Sequence, residues 1–276
     1  EDHGPMIGAF GDTQATTPVI DAFANNSIIY TNAFSVAPVC SPARSTLITG
    51  MYPTSIGTHN MRSFGKISPK ITFFTKYLRK AGYYTANIGK HDFNMIAPEG
   101  AWDETNNNNR VQNWDRTTYF RETNGEKPFF SIINLFNSHE SRIRRDMENR
   151  TRDLSSTKHN SDAITIPPYY PDALPIRQVM AQYYDNVGDI DSALSGILET
   201  LVLDGLAEDT IIFFFSDHGT GVPRSKRSPY NSGLHVPLII HVPKKFEYLT
   251  NLTAGPKKDK IFSFLKFSPP GPTPTK

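Results

Sequence analysis

The sequence predicts an α/β fold built on a covered sheet, and three observations lead there. Thr210-Ile211-Ile212-Phe213-Phe214-Phe215 is apolar at every position after the first, the pattern of a strand buried on both faces. Residues 83–88 and 128–136 are further apolar runs of strand length, and the first follows a helical pattern closed by Gly82. Each run leads directly into polar, chemistry-bearing residues: Gly89-Lys90-His91-Asp92, Asn137-Ser138-His139-Glu140 and Ser216-Asp217-His218-Gly219. In open α/β sheets ligands gather at the carboxyl ends of strands.

The elements follow in order. Residues 17–24 read as a short amphipathic helix with Pro18 near its start, and 27–34 as a strand leading towards Cys40. Pro42 suits the first turn of a helix and Gly50 its end. Cys40 then lies at or just before a helix N-terminus, where free N–H groups favour an anion or a polarised oxygen. Arg44, four residues on, shares that face. Residues 71–81 predict a helix with Phe74, Tyr77 and Leu78 on one face. Residues 99–126, with the run Asn106 to Asn109, predict an exposed insertion packed down by Trp102. Residues 141–165 predict a charged loop over the site. Residues 178–203 carry the best helical pattern in the chain and read as scaffold; 238–240 are another strand.

Composition excludes several classes. A net charge of +2 is too small to point to nucleic acid. No apolar run reaches membrane-spanning length. A single cysteine rules out an internal disulfide. The length suits one large domain or two small ones. The chain does not begin with Met and shows no signal peptide, so Glu1-Asp2 reads as mid-protein sequence. Asn25-Asn26-Ser27, Asn149-Arg150-Thr151 and Asn251-Leu252-Thr253 are glycosylation sequons.

Taken alone, Cys40 is either a small buried hydrophobe or the thiolate of a cysteine hydrolase. The stretch around it is more informative. Cys40-Ser41-Pro42-Ala43-Arg44, followed by Ser45-Thr46-Leu47-Ile48-Thr49-Gly50, resembles the signature of the type I sulfatases over eleven residues. In that family the cysteine of Cys-x-Pro-x-Arg is oxidised after synthesis to formylglycine, whose hydrated aldehyde is the nucleophile. The resemblance implies an alkaline-phosphatase-like fold: a mixed, largely parallel sheet flanked by helices on both faces. It covers residues 1–260 as a catalytic N-terminal domain, with 261–276 left as an extended tail. Complete sulfatases are longer. Nothing here corresponds to their smaller C-terminal subdomain, nor to the strand that precedes their acidic pair.

The resemblance also implies roles. Glu1-Asp2 looks like the acidic pair that binds a divalent cation, with Glu in place of the usual Asp; its longer arm suits Ca²⁺, which tolerates varied oxygen geometry, with Mg²⁺ the alternative. Asp217 and His218 match the Ser-Asp-His-Gly residues that complete the metal site together with residue 40. Lys90 resembles the sulfate-contacting Lys of Gly-Lys-x-His. The position two after it is Asp92, with His91 adjacent, and either could orient the formylglycine hydroxyl. His139 matches a His near the bridging oxygen, although the usual Pro-His is Ser-His here. Lys226 holds the second sulfate-contacting basic position, Arg44 would position the diol, and His59 is a pocket residue or a structural histidine.

Without the resemblance, two carboxylates, an Asp-His pair, a Cys-Arg pair, two Lys and a His still suit a hard cation and an oxyanion with several terminal oxygens. That points to sulfuryl or phosphoryl transfer. With it, the expectation is a sulfuric ester or sulfamate hydrolase of the heparan N-sulfatase and polysaccharide sulfatase branch. Its partners would be a sulfated carbohydrate and the formylglycine-generating enzyme, in a secreted, periplasmic or lysosomal setting, with oligomeric state open. The alternatives are a related phosphoesterase or phosphonate hydrolase, or an inactive truncated glycan-binding protein.

Overall fold

The computed structural model describes residues 1–64, 66–106, 108, 119, 122–146, 148–250 and 257–267. The elements, in order, are α1 (Pro18–Asn25), β1 (Ile28–Ile29), β2 (Ala33–Phe34), α2 (Cys40–Thr49), α3 (Pro53–Ile56), α4 (Thr75–Lys80), β3 (Tyr84–Ile88), β4 (Glu104–Asn106), β5 (Phe129–Ile133), α5 (Glu140–Arg144), α6 (Leu174–Leu203), β6 (Ile212–Phe215), α7 (Asn231–Leu234), β7 (His235–Val236), β8 (Leu238–His241) and β9 (Phe262–Ser263).

The described strands form three small sheets. In the first, β3 lies between β4 and β5, both parallel to it, with Ile88 opposite Ile133. Every residue of β3 is buried, the pattern of a strand covered on both faces. In the second, β8 lies between β1 and β6, antiparallel to both. The third has the order β7-β2-β9. The fold is α/β and mixed: among the described residues, parallel pairing occurs in β4-β3-β5, between β2 and β9, and at an isolated bridge between Tyr30 and Lys258. Parallel neighbours need a long crossover connection. The chain between β6 and β8 instead forms the site loop and the one-turn α7, so it returns antiparallel.

The main core lies where α1 and α6 pack on the second sheet. Ile20, Phe23 and Ala24 of α1 meet Ile190 and Leu194 of α6, Phe214 of β6 and Ile239 of β8. Each large aliphatic side chain fully buried there contributes about 1.5–3 kcal/mol. Asp191 of α6 fixes the approach by accepting from the Val19 and Ile20 amides at the start of α1.

Several elements differ from the sequence expectations for identifiable reasons. Residues 27–34 are two strands, because the chain passes from β8 to β7 at Tyr30-Thr31, where Thr31 N bonds the Lys258 carbonyl. The helix expected over 71–81 starts only at Thr75: Phe73 is fully buried in a separate cluster, and Phe74 N donates to the Ile48 carbonyl of α2. The insertion expected over 99–126 contains a strand, β4. Trp102 does pack it down, stacked between Phe93 and Phe130; Asn107 and Asn109 lie outside the described residues. Phe213 is 48% exposed, so β6 is not covered on both faces. Residues 261–267 are not an extended tail: Phe262–Ser263 pair with Ala33–Phe34, and Phe264 is fully buried. The remaining tail, 268–276, and the sequon at Asn251 lie outside the described residues. No described helix is long and apolar enough to cross a membrane.

Candidate active site

Cys40 is the first residue of α2 and is fully buried. Nearly the whole helix is buried with it, and its sequence is accordingly mostly small residues, with Leu47, Ile48 and one arginine. The αL conformation of Gly50 (φ 68°) ends it. Cys40 Sγ lies 3.2 Å from His218 Nε2 and 3.7 Å from Asp2 Oδ1. Ligand atoms of Glu1, Asp2, Cys40 and His139 fall within 4.8 Å of one another, as do those of Cys40, Asp217 and His218. Residues from the chain start, α2, the end of β5 and the end of β6 therefore converge.

The cations come from the end of β3, from α2 and from the loop after β6. Lys90, just past β3, places Nζ 2.8 Å from Glu1 Oε2. Lys226 places Nζ 2.7 Å from Asp2 Oδ2. Arg44 lies 3.6 Å from Asp217 Oδ2, and its guanidinium is held by the Lys90 and His91 carbonyls and by Asn134 Oδ1. Burial pushes the Asp2 carboxyl up, but the His218 and Lys226 charges overcome it and hold it well below the usual carboxylate range. Burial likewise opposes charge on His218, yet Asp217 and Asp2 raise its pKa to about 10. His139 is lowered, by burial first. Its ring stacks on Phe136 and its Nδ1 meets Ser141 Oγ at 2.9 Å, while among the described residues Nε2 has no hydrogen-bond partner.

His91 and Asp92 are distinguished by their contacts. Asp92 has a left-handed backbone (φ 47°) and accepts from Ser41, next to Cys40, and from Arg62 at 2.9 Å. His91 gives only its carbonyl to Arg44, and burial lowers its ring pKa. His59 is exposed and is not brought to the cluster. It is Arg62, from the same loop, that reaches in.

Sequence reading missed Asn134, Ser41, Arg62, Glu140 and Ser216. Asn134 had a signal, as a polar residue inside the apolar run Ile132-Ile133-Asn134-Leu135-Phe136. Ser216 Oγ lies 2.6 Å from the Glu1 carbonyl and 2.8 Å from that of His218, joining the acidic pair to the end of β6. Glu140 gives its amide to Asp2 Oδ2 and its carboxylate to Lys226 and Arg227. The loop closes this tightly because two positions lack a side chain. A Cβ on Gly219 would fall 2.0 Å from the Ser232 carbonyl oxygen, and one on Gly221 2.9 Å from Asp2 Oδ2.

The residues fit a hard cation. Glu1 Oε1 and Asp217 Oδ2 are buried without hydrogen-bond partners, and three carboxylates with one imidazole suit Ca²⁺ or Mg²⁺ better than zinc. A cation there would take the place of the His218 proton.

An acidic, cation-competent cluster ringed by lysine and arginine defines a centre for anionic esters. Residues 2–265 match the family model described as Sulfatase. The chain belongs to the sulfatase family. It is 34% identical to an ulvan-active sulfatase of Formosa agariphila over 98% of this chain and 50% of that protein. It is 25% identical to human N-sulphoglucosamine sulphohydrolase over 88% of this chain and 54% of that one, which agrees with the branch expected from the sequence. The chain thus spans about half the length of these curated relatives. Among solved structures, one in complex with its substrate D-glucosamine-2-N,6-O-disulfate superposes with TM-score 0.66 at 18% identity, covering 97% of this chain and 73% of that one. A phosphonate monoester hydrolase of Agrobacterium radiobacter superposes with TM-score 0.67 at 16% identity, covering 98% and 71%. The fold is that of the alkaline-phosphatase-like hydrolases.

Proposed function

We propose that the protein to which this chain belongs hydrolyses sulfuric esters or sulfamates of a sulfated glycan, with Cys40 converted to formylglycine. The observation that carries this is the convergence of Cys40, at the start of α2, with Glu1, Asp2, Asp217 and His218 on one side and Lys90, Lys226 and Arg44 on the other. Formylglycine supplies a hydrated aldehyde as nucleophile, and a divalent cation, Ca²⁺ or Mg²⁺, lowers the pKa of its hydroxyl.

The chain's residues do the rest. Glu1, Asp2, Asp217 and His218 hold the cation beside residue 40. Lys90 and Lys226, now on carboxylates, offset charge on the sulfate oxygens. Arg44, fixed by Asn134 and two carbonyls, orients residue 40. His139 Nε2 gives a proton to the leaving oxygen. Asp92 acts through Ser41 and Arg62 to set the start of α2. His91 and His59 serve the surrounding pocket, His59 from an exposed loop over the glycan. Residues 1–260 form the catalytic domain. The relatives' names support a sulfated polysaccharide as substrate, and family membership supports maturation by a formylglycine-generating enzyme on the route to a secreted, periplasmic or lysosomal location.

The test is to express the full-length protein with that enzyme, weigh the Cys40 peptide and assay sulfate release from sulfated polysaccharides. Aldehyde in place of thiol, with sulfate release, is expected. An unmodified thiol and no release would overturn the proposal. Faster turnover of phosphonate than of sulfate esters would move the reading to the phosphonate hydrolases that share the fold.

A further inference from the structure

Arg224 is an exposed arginine held in an unusual setting. Its guanidinium lies 4.5 Å from the centroid of Tyr169 and 4.7 Å from that of Tyr230. Both rings are exposed, at 42% and 53%. Arg62, Arg79, Arg150, Arg177 and Arg227 each pair with a carboxylate. Among the described residues Arg224, like Arg144, Arg145 and Arg152, pairs with none, and it is the arginine that lies over two aromatic rings. Its backbone is left-handed (φ 61°), as is that of Arg227 (φ 70°), a conformation costly for a side chain of this size. The arrangement is also braced: Tyr170 hydroxyl donates to the Pro223 carbonyl, and Ser232 Oγ donates to that of Arg224 at 2.7 Å.

A guanidinium held over ring faces still carries five N–H donors, the groups that pair with a planar or tetrahedral oxyanion. The position matters as much as the chemistry. Arg224 is two residues from Lys226, so their Cα atoms lie within about 8 Å, and Lys226 Nζ is in the cluster around Asp2.

We propose that Arg224, flanked by Tyr169 and Tyr230, is a subsite for a second anionic group of the glycan, a sulfate or a carboxylate on a sugar next to the one being desulfated. The tyrosine rings offer apolar faces to sugar C–H groups while the arginine edge takes the oxyanion. The inference rests on the reading of the neighbouring cluster as a sulfated-glycan site.

Equilibrium binding tests it without turnover. The probes are an oligosaccharide with one sulfate, the same with a second sulfate on the neighbouring sugar, and the same with a carboxylate there. The second oxyanion should tighten binding to the full-length wild-type protein about tenfold. Arg224→Ala should erase that gain. Arg224→Lys, which keeps charge without the planar fork, should keep only part of it. Tyr230→Ala should reduce it. A gain with sulfate alone or with both anions supports the subsite and says which groups it takes. Equal affinity for all three probes, or a full gain in Arg224→Ala, overturns it. Failure of the broader function would show separately, as absence of sulfate release by a protein that still discriminates the probes.

Discussion

Lys226 Nζ lies 2.7 Å from Asp2 Oδ2 across 224 residues of sequence. The same oxygen accepts from the Glu140 amide at 2.7 Å, and the other oxygen meets His218 Nε2 at 3.0 Å. Asp2 is thus the carboxylate through which the chain start, α5 and the loop after β6 are joined. Removing one partner of a buried pair costs about 3–5 kcal/mol, because the remaining charge stays buried. Lys226→Met should fall near 3, since His218 still faces Asp2. Adding Asp2→Asn should recover part of the loss. Urea midpoints at unchanged m-value check both, and strict additivity of the two changes would contradict the pairing.

Cation binding should be visible in stability alone. A ligand that binds only the folded state, present at 100 times its Kd, adds about 2.7 kcal/mol. Thermal melts with chelator, Ca²⁺ and Mg²⁺ should therefore separate, and Asp217→Asn should collapse the difference. Identical melts in all three conditions would count against the cluster as a cation site.

Cys40→Ser should release at most one leaving group per protein molecule. A serine hydroxyl in that place can accept the sulfuryl group, but it lacks the second hydroxyl needed to expel sulfate. Rapid-mix kinetics read this as a burst without a steady state. Sustained turnover by the variant would remove the need for formylglycine.

How much of this was legible in the sequence depended on whether a residue acts alone or through a partner. Cys40, Lys90, Asp217, His218 and Lys226 sit at helix starts, strand ends or the site loop, and their residue types carry chemistry, so position and type point together. Glu140 and Arg62 escaped because their roles come from contacts with Asp2, Lys226 and Asp92, far away in sequence. The antiparallel return of β8 escaped because an apolar run such as Leu238-Ile239-Ile240 reads the same in either direction. Phe262–Ser263 reads as tail in the sequence because a two-residue strand is too short for any period to show. Its pairing with β2 is settled by contacts of Phe264 and Phe267 with Phe215.

Asn134 should prove a positioning residue. Its Oδ1 accepts from Arg44 at 2.5 Å while its amide donates to the Ile88 carbonyl at 2.7 Å. Asn134→Ala would leave a buried guanidinium N–H without its acceptor, at about 1–3 kcal/mol. If Arg44 orients residue 40, kcat should fall about tenfold or more with KM little changed. A fall in stability with kcat intact would make Asn134 purely structural.

Asp103 provides a pH test remote from the cluster. Its carboxylate accepts from Arg79 at 2.6 and 3.0 Å and from the Thr85 amide at 2.8 Å, tying the segment before β4 to β3. Burial pushes its carboxyl up, but the Arg79 bonds and those from Thr85 outweigh it and hold the pKa below the ordinary 3.8. A depressed carboxylate stabilises the folded state above the unfolded pKa, and that contribution disappears as pH falls through the lower folded value. Asp103→Asn should therefore cost about 1 kcal/mol near neutral pH, the partly exposed pair being screened by solvent. The gap between wild type and variant should hold down to about pH 5, begin to narrow near pH 3.8, and close only below the lower folded pKa. Urea midpoints across that range measure it, and a gap that widens in acid would show that the carboxylate is not the form the fold prefers.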